Sequence, residues 1–109
     1  MGVVAGRFDI MLVQLDPTRG SEIRKTRPCV VISPDEMNGA LRTVVIAPMT
    51  TKGQAYPWRV PLTFQGKSGR VALDQMRTVD GERLLRRLGT LDDKTVQLVL
   101  ATLAEMVAA

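Results

Sequence analysis

The residues best suited to chemistry fall in one stretch, DPTRGSEIRKTRPCVVISP, from Asp16 to Pro34. It carries Arg19, Glu22, Arg24, Lys25 and Arg27, with the hydroxyls of Thr18, Ser21 and Thr26 among them. Arg27 directly precedes Pro28, whose ring holds the residue before it in extended geometry. The apolar run Cys29-Val30-Val31-Ile32 follows at once. The stem of Arg27 is therefore anchored to a strand, and a planar guanidinium fork suits a phosphate. A second polar strand end is Pro48-Met49-Thr50-Thr51. Its Thr50 is an ordinary turn residue or, beside Arg27, a hydrogen-bond donor to a phosphate oxygen. Asp74-Gln75 closes a later strand as a turn, a cap or a further polar partner. The combination points to phosphodiester chemistry; the plainer alternative is a solvated basic loop.

The rest of the composition narrows the choice. The chain contains no histidine. That excludes Ser-His-Asp and Cys-His catalysis and removes the commonest zinc ligand. A metal site would have to be all carboxylate, and no DxDxD-like cluster occurs, so no metal or cofactor is expected. Lys67-Ser68 after Gly66 resembles the end of a phosphate-binding P-loop. The required earlier glycine is Pro61, which rejects that reading. The single cysteine, Cys29, sits in an apolar run and reads as a small hydrophobe rather than a reactive thiol. A formal net charge of +4 favours an anionic partner. Tyr56-Pro57-Trp58 offers a base-stacking face, although strand alternation favours a core position for Trp58. No apolar run is long enough for a signal peptide or a membrane span, so the expected location is cytoplasmic.

These residues need a scaffold, and the pattern supplies a mainly β one. Strands are expected over 9–15, 28–33, 41–49, 58–64 and 70–74, with a weaker one over 84–88. Asn38-Gly39, residues 65–69 and Asp80-Gly81 read as turns. In the fourth strand Trp58, Val60, Leu62 and Phe64 share one face, and Pro61 marks an edge or a bulge. From Leu91 the period changes. Val96, Val99, Leu100, Leu103, Met106 and Val107 recur at steps of three and four, with Asp92 or Asp93 as N-cap. Leu98, Ala101 and Ala108 form a residual strip suited to a dimer. Short strands followed by one helix predict a single domain over 1–109. It would be a small, strongly bent antiparallel barrel with the helix packed on it.

In order and spacing these residues resemble the MazF/PemK/Kid-type toxins, the endoribonuclease halves of bacterial toxin–antitoxin pairs. The resemblance rests on Asp9-Ile10, Asp16-Pro17-Thr18, Gly20-Ser21-Glu22, Arg27-Pro28, the run closing at Pro34, Asn38, Pro48 with Thr50-Thr51, and Asp74-Gln75. It implies an SH3-like, CcdB-like curled antiparallel barrel with a C-terminal helix, and a homodimer. It also implies metal-independent cleavage of single-stranded RNA, leaving a 2′,3′-cyclic phosphate and a 5′-hydroxyl. The implied partner is an antitoxin with an acidic, extended tail. The family's arginine falls on Arg27, its threonine on Thr50, its loop glutamate on Glu22 and its aspartate on Asp74. RNA contacts are implied for Arg19, Ser21, Arg24, Lys25, Thr51, Tyr56 and Gln75. Three departures stand out. Ser21 replaces a histidine of some members, Ala72 replaces an arginine of others, and Arg7-Phe8-Asp9 replaces the usual Arg-Gly-Asp opening.

In the cleavage that the resemblance implies, the RNA 2′-hydroxyl can attack the adjacent phosphorus, so no enzyme nucleophile is needed. Arg27 would then stabilise the phosphorane and Thr50 would bind a phosphate oxygen, with Glu22 as base and Asp74 as the alternative. Two other classes remain in play. One is a non-enzymatic, CcdB-like gyrase poison, and the other is an SH3-like module that binds nucleic acid or acidic peptides without cutting.

Overall fold

The computed structural model describes residues 4–15 and 25–108. Among them, seven strands and two α-helices follow in the order β1 (Asp9–Gln14), β2 (Thr26–Val31), α1 (Asp35–Ala40), β3 (Thr43–Thr50), β4 (Arg59–Phe64), β5 (Lys67–Ala72), β6 (Arg77–Asp80), β7 (Leu84–Thr90) and α2 (Asp93–Val107). Short 3₁₀ turns at Leu73–Gln75 and Gly81–Arg83 flank β6. Every strand pair is antiparallel. The sheet runs β4-β5-β3-β2-β1-β7, and β6 lies beside the first half of β3. β3 is therefore shared: Thr43 to Ile46 pair with β6, while Met49 and Thr50 pair with β5. The sheet curls around that divided strand, and the expected curled antiparallel barrel with a closing helix is the observed one.

Alternation along the strands builds two cores. One face buries Met11, Val13, Cys29, Val31, Val44 and Ile46. The other buries Ile10, Val30, Ala47, Val60 and Val71, together with Leu73 and Val99 of α2. The Asp92 carboxylate caps α2, accepting from the Thr95 amide at 2.8 Å. Val96, Val99 and Leu103 pack inward. Met106 and Val107, expected on the same stripe, are exposed.

Several boundaries differ from expectation for identifiable reasons. Asn38-Gly39 lies inside α1 rather than in a turn. Pro34 enters that helix in extended geometry and Asp35-Glu36 supply an acidic first turn. Asn38 Nδ2 donates to the Ser33 carbonyl, fixing the connection. The turn expected over 65–69 shrinks to Gln65-Gly66, with φ of 52° and 76°, so β5 begins at Lys67. β6 was unexpected: only Val79 of its four residues is buried. Pro61 stands on β4, an edge strand, as expected. Phe8 takes a left-handed φ of 66° where a glycine would be at ease. Its amide donates to the Val31 carbonyl at 2.7 Å and its carbonyl accepts from Leu91 at 3.0 Å, which holds the departure in place.

Candidate active site

Arg27 lies inside β2, directly across from Val13 of β1. One residue beyond the β1–β2 ladder the Leu15 amide donates to the carbonyl of Lys25, whose φ is 70°, at 2.9 Å. The β2–β3 ladder runs from Val31 opposite Ile46 to Cys29 opposite Pro48. Arg27 and Thr50 each lie two residues further along the same face, because side chains repeat every second residue. Thr50 ends β3 and is 9% exposed. Its hydroxyl accepts from the Lys52 amide at 3.1 Å and donates to the Lys52 carbonyl at 3.3 Å. The first contact fixes its rotamer. The second is long for a hydroxyl donor, so the proton can be redirected to a better acceptor.

Cys29 is fully buried on that face, and loss of solvent pushes its thiol up to about 12 against the charges of Arg27 and Arg77. It is packing, as expected, and not a nucleophile. Both arginines therefore lie within electrostatic reach of Cys29. Arg77 stands across from Ile46 on β6 and so points to the same face.

The ladder continues the row. Thr50 pairs with Arg70 of β5, and Arg70 with Pro61 of β4. Arg59 pairs with Ala72 on the same hairpin face. This end of the face is polar: Thr51, Thr63, Ser68 and Arg70 line a groove of about 430 Å³. Arg70 makes no hydrogen bond or ion pair to any described residue. Arg59 is engaged. Its Nε and Nη2 donate to the two oxygens of Asp74, each at 2.9 Å. That fork, with a smaller contribution from Gln75, holds the Asp74 carboxyl below the usual aspartate range. A group depressed in this way stabilises the fold fully above the ordinary aspartate pKa. Its contribution is lost as the pH falls through the lowered value.

Of the residues singled out from the sequence, Arg27, Thr50 and Lys25 gather at the β2–β3 end. Asp74, Gln75 and Tyr56 gather around Arg59, and Thr51 lies between the two groups. Arg19, Ser21, Glu22 and Arg24 lie outside the described residues. Trp58 is a correction. It is not core but stacks on Tyr56 at the surface, because β4 begins one residue later, at Arg59. Leu98 and Ala101 form, with Pro57 and Trp58, a separate groove of about 420 Å³. Sequence reading missed Arg59, Arg70 and Arg77. A signal existed for Arg70: it stands four residues before Asp74, two pleats back on the same strand run.

Residues 6–107 match the family of PemK-like, MazF-like toxins of type II toxin–antitoxin systems. The chain is 34% identical over 94 residues to the endoribonuclease toxin MazF of Escherichia coli K12, covering 85% of each chain. It is 38% identical over 90 residues to the Escherichia coli endoribonuclease PemK, covering 73% of this chain and 68% of that one. The crystal structure of MazF from Deinococcus radiodurans superposes with a TM-score of 0.84 at 26% identity, covering 98% of this chain and 99% of that one. Motif order, barrel topology and these likenesses agree: the chain belongs to the PemK-like, MazF-like toxins of type II toxin–antitoxin systems.

Proposed function

We propose that this protein is the toxin of its pair and a sequence-specific, metal-independent endoribonuclease acting on single-stranded RNA. The observation that carries the reading is the row across one sheet face. Arg27 and Thr50 stand at adjoining strand ends, with Arg70 directly across from Thr50. The naming of the curated relatives as endoribonucleases supports it.

In this reading the strand lies along the polar end of the face with its scissile phosphate over Thr50. Glu22 takes the proton of the 2′-hydroxyl, whose oxygen attacks the phosphorus. The bond to the 5′-oxygen breaks, and that oxygen takes a proton from solvent water as it leaves. Arg27 stabilises the charge on the phosphorane and Thr50 donates to a non-bridging oxygen. A guanidinium holds its protons too tightly to serve as an acid, so Arg27 is a charge stabiliser. Asp74 suits the base role less well than Glu22, since both its oxygens are held by Arg59 and its pKa is depressed. Arg19, Arg24, Lys25 and Arg70 hold the backbone by charge. Ser21, Thr51, Tyr56 and Gln75 contact the nucleotides beside the cut. A second copy of the chain would lengthen the groove, and an acidic, extended antitoxin segment would cover it by charge complementarity. The pair would work in the cytoplasm; among the described residues no helix is long and apolar enough to cross a membrane.

The test is incubation of the purified protein with a defined RNA in EDTA, followed by analysis of the ends. Discrete fragments ending in 2′,3′-cyclic phosphate and beginning with 5′-hydroxyl are expected. Intact RNA, bound or unbound, would overturn the proposal.

A further inference from the structure

The chain has one Trp, one Tyr and two Phe. Both phenylalanines pack against the core, whereas Tyr56 and Trp58 remain 39% and 38% exposed. These two are nevertheless held firmly. Pro57 restricts the backbone of Tyr56, and the Arg59 amide donates to the Tyr56 carbonyl at 3.0 Å, closing a turn with Pro57 in its second position. The two rings lie 5.0 Å apart and 6° from parallel. The Arg59 guanidinium lies over the Tyr56 ring, 5.7 Å from its centre. The fork of Asp74 grips that guanidinium from the 3₁₀ turn after β5. The preceding loop closes on it as well. Gly53 has a φ of 96°, and a Cβ there would come within 3.1 Å of Arg59 Nη1. An exposed, parallel aromatic pair is thus immobilised by an ion pair that contributes nothing to either core.

Resting on the ribonuclease reading, we propose that Tyr56 and Trp58 form a preformed stacking platform for one unpaired base of the RNA strand. Arg59 and Asp74 are the positioning residues that hold it. An unpaired base fits because its recognition needs a flat, rigid π-face. Arg70 adds the matching cation. It lies on the same hairpin face as Arg59, diagonally across the β4–β5 ladder. Asp74 then acts through Arg59 and carries no proton in the reaction.

Trp58 is the chain's single tryptophan, so its emission reports the platform alone. The probe is an RNA that the wild type cuts, remade with a 2′-deoxynucleotide at the cut so that it binds intact. Binding should quench Trp58, and an abasic nucleotide at one particular position should remove the quench. Trp58→Ala should weaken binding by about 5- to 150-fold, the range that one stacked base supplies. Arg59→Ala and Asp74→Asn should each diminish the quench and raise KM. The acidic limb of the kcat–pH profile should stay in place, and Arg59→Lys should restore part of the quench. An unquenched Trp58, or a full quench in Arg59→Ala, would overturn the platform. Loss of the acidic limb in Asp74→Asn would make Asp74 a proton carrier and overturn its positioning role. Quenching by an acidic peptide but not by RNA would assign the surface to a protein partner instead. If the wild type cuts no RNA, the ribonuclease reading falls and takes the platform with it; if it cuts RNA and Trp58 stays silent, only the platform falls.

Discussion

Arg59 and Arg70 share one face of one hairpin, yet the fold treats them differently. Arg59 is neutralised in place by both oxygens of Asp74, with Tyr56 over it. Arg70, across from Thr50, has no polar partner among the described residues. A cation whose charge is already answered is a fixture that orients its neighbours. A cation left facing a polar groove awaits an anion from outside. The two corners divide the work: one shapes a surface for a base, and the other, with Arg27 and Thr50, presents charge to a phosphate.

That contrast breaks most sharply at the phosphate corner. Arg27→Ala should lower the single-turnover rate of RNA cleavage by about 10²- to 10³-fold, the worth of one donor to a developing oxyanion. Affinity for a non-cleavable strand should change far less. Near-normal cleavage would remove Arg27 from the chemistry.

Arg70→Ala should have a smaller effect of a different kind. It should weaken binding evenly across RNA sequences and flatten the plot of log affinity against log salt by about 0.7, one phosphate contact to a single strand. Arg59→Ala should leave that slope alone, because its charge is spent on Asp74. Equal slope changes in the two variants would erase the distinction between the corners.

The scaffold was largely legible because the short apolar runs of β1 to β3, the alternation of β4 and the helical stripe from Val96 to Leu103 are strong, local signals. What escaped depended on pairing. β6 has one buried residue, so only its partner β3 reveals it. Arg70 looks like any strand cation until the register sets it opposite Thr50. Trp58 fits the alternation of β4 on paper, but the Pro57 turn ends that alternation one residue early and sends the ring outward. Arg27 and Thr50 were legible as a pair through the resemblance, whereas the role of Asp74 required the sight of Arg59. Glu22 lies outside the described residues, and its role rests on the resemblance alone.

The central claim is that the substrate supplies the nucleophile and this face supplies only charge and alignment. The most direct test removes one oxygen from the RNA. A cut strand is remade without the 2′-hydroxyl on the nucleotide immediately 5′ to the break, and rate and affinity are measured together. The account predicts that this strand binds as before and is not cut at that position. Cleavage there at an undiminished rate would mean that water or a protein group attacks the phosphorus, and would contradict it.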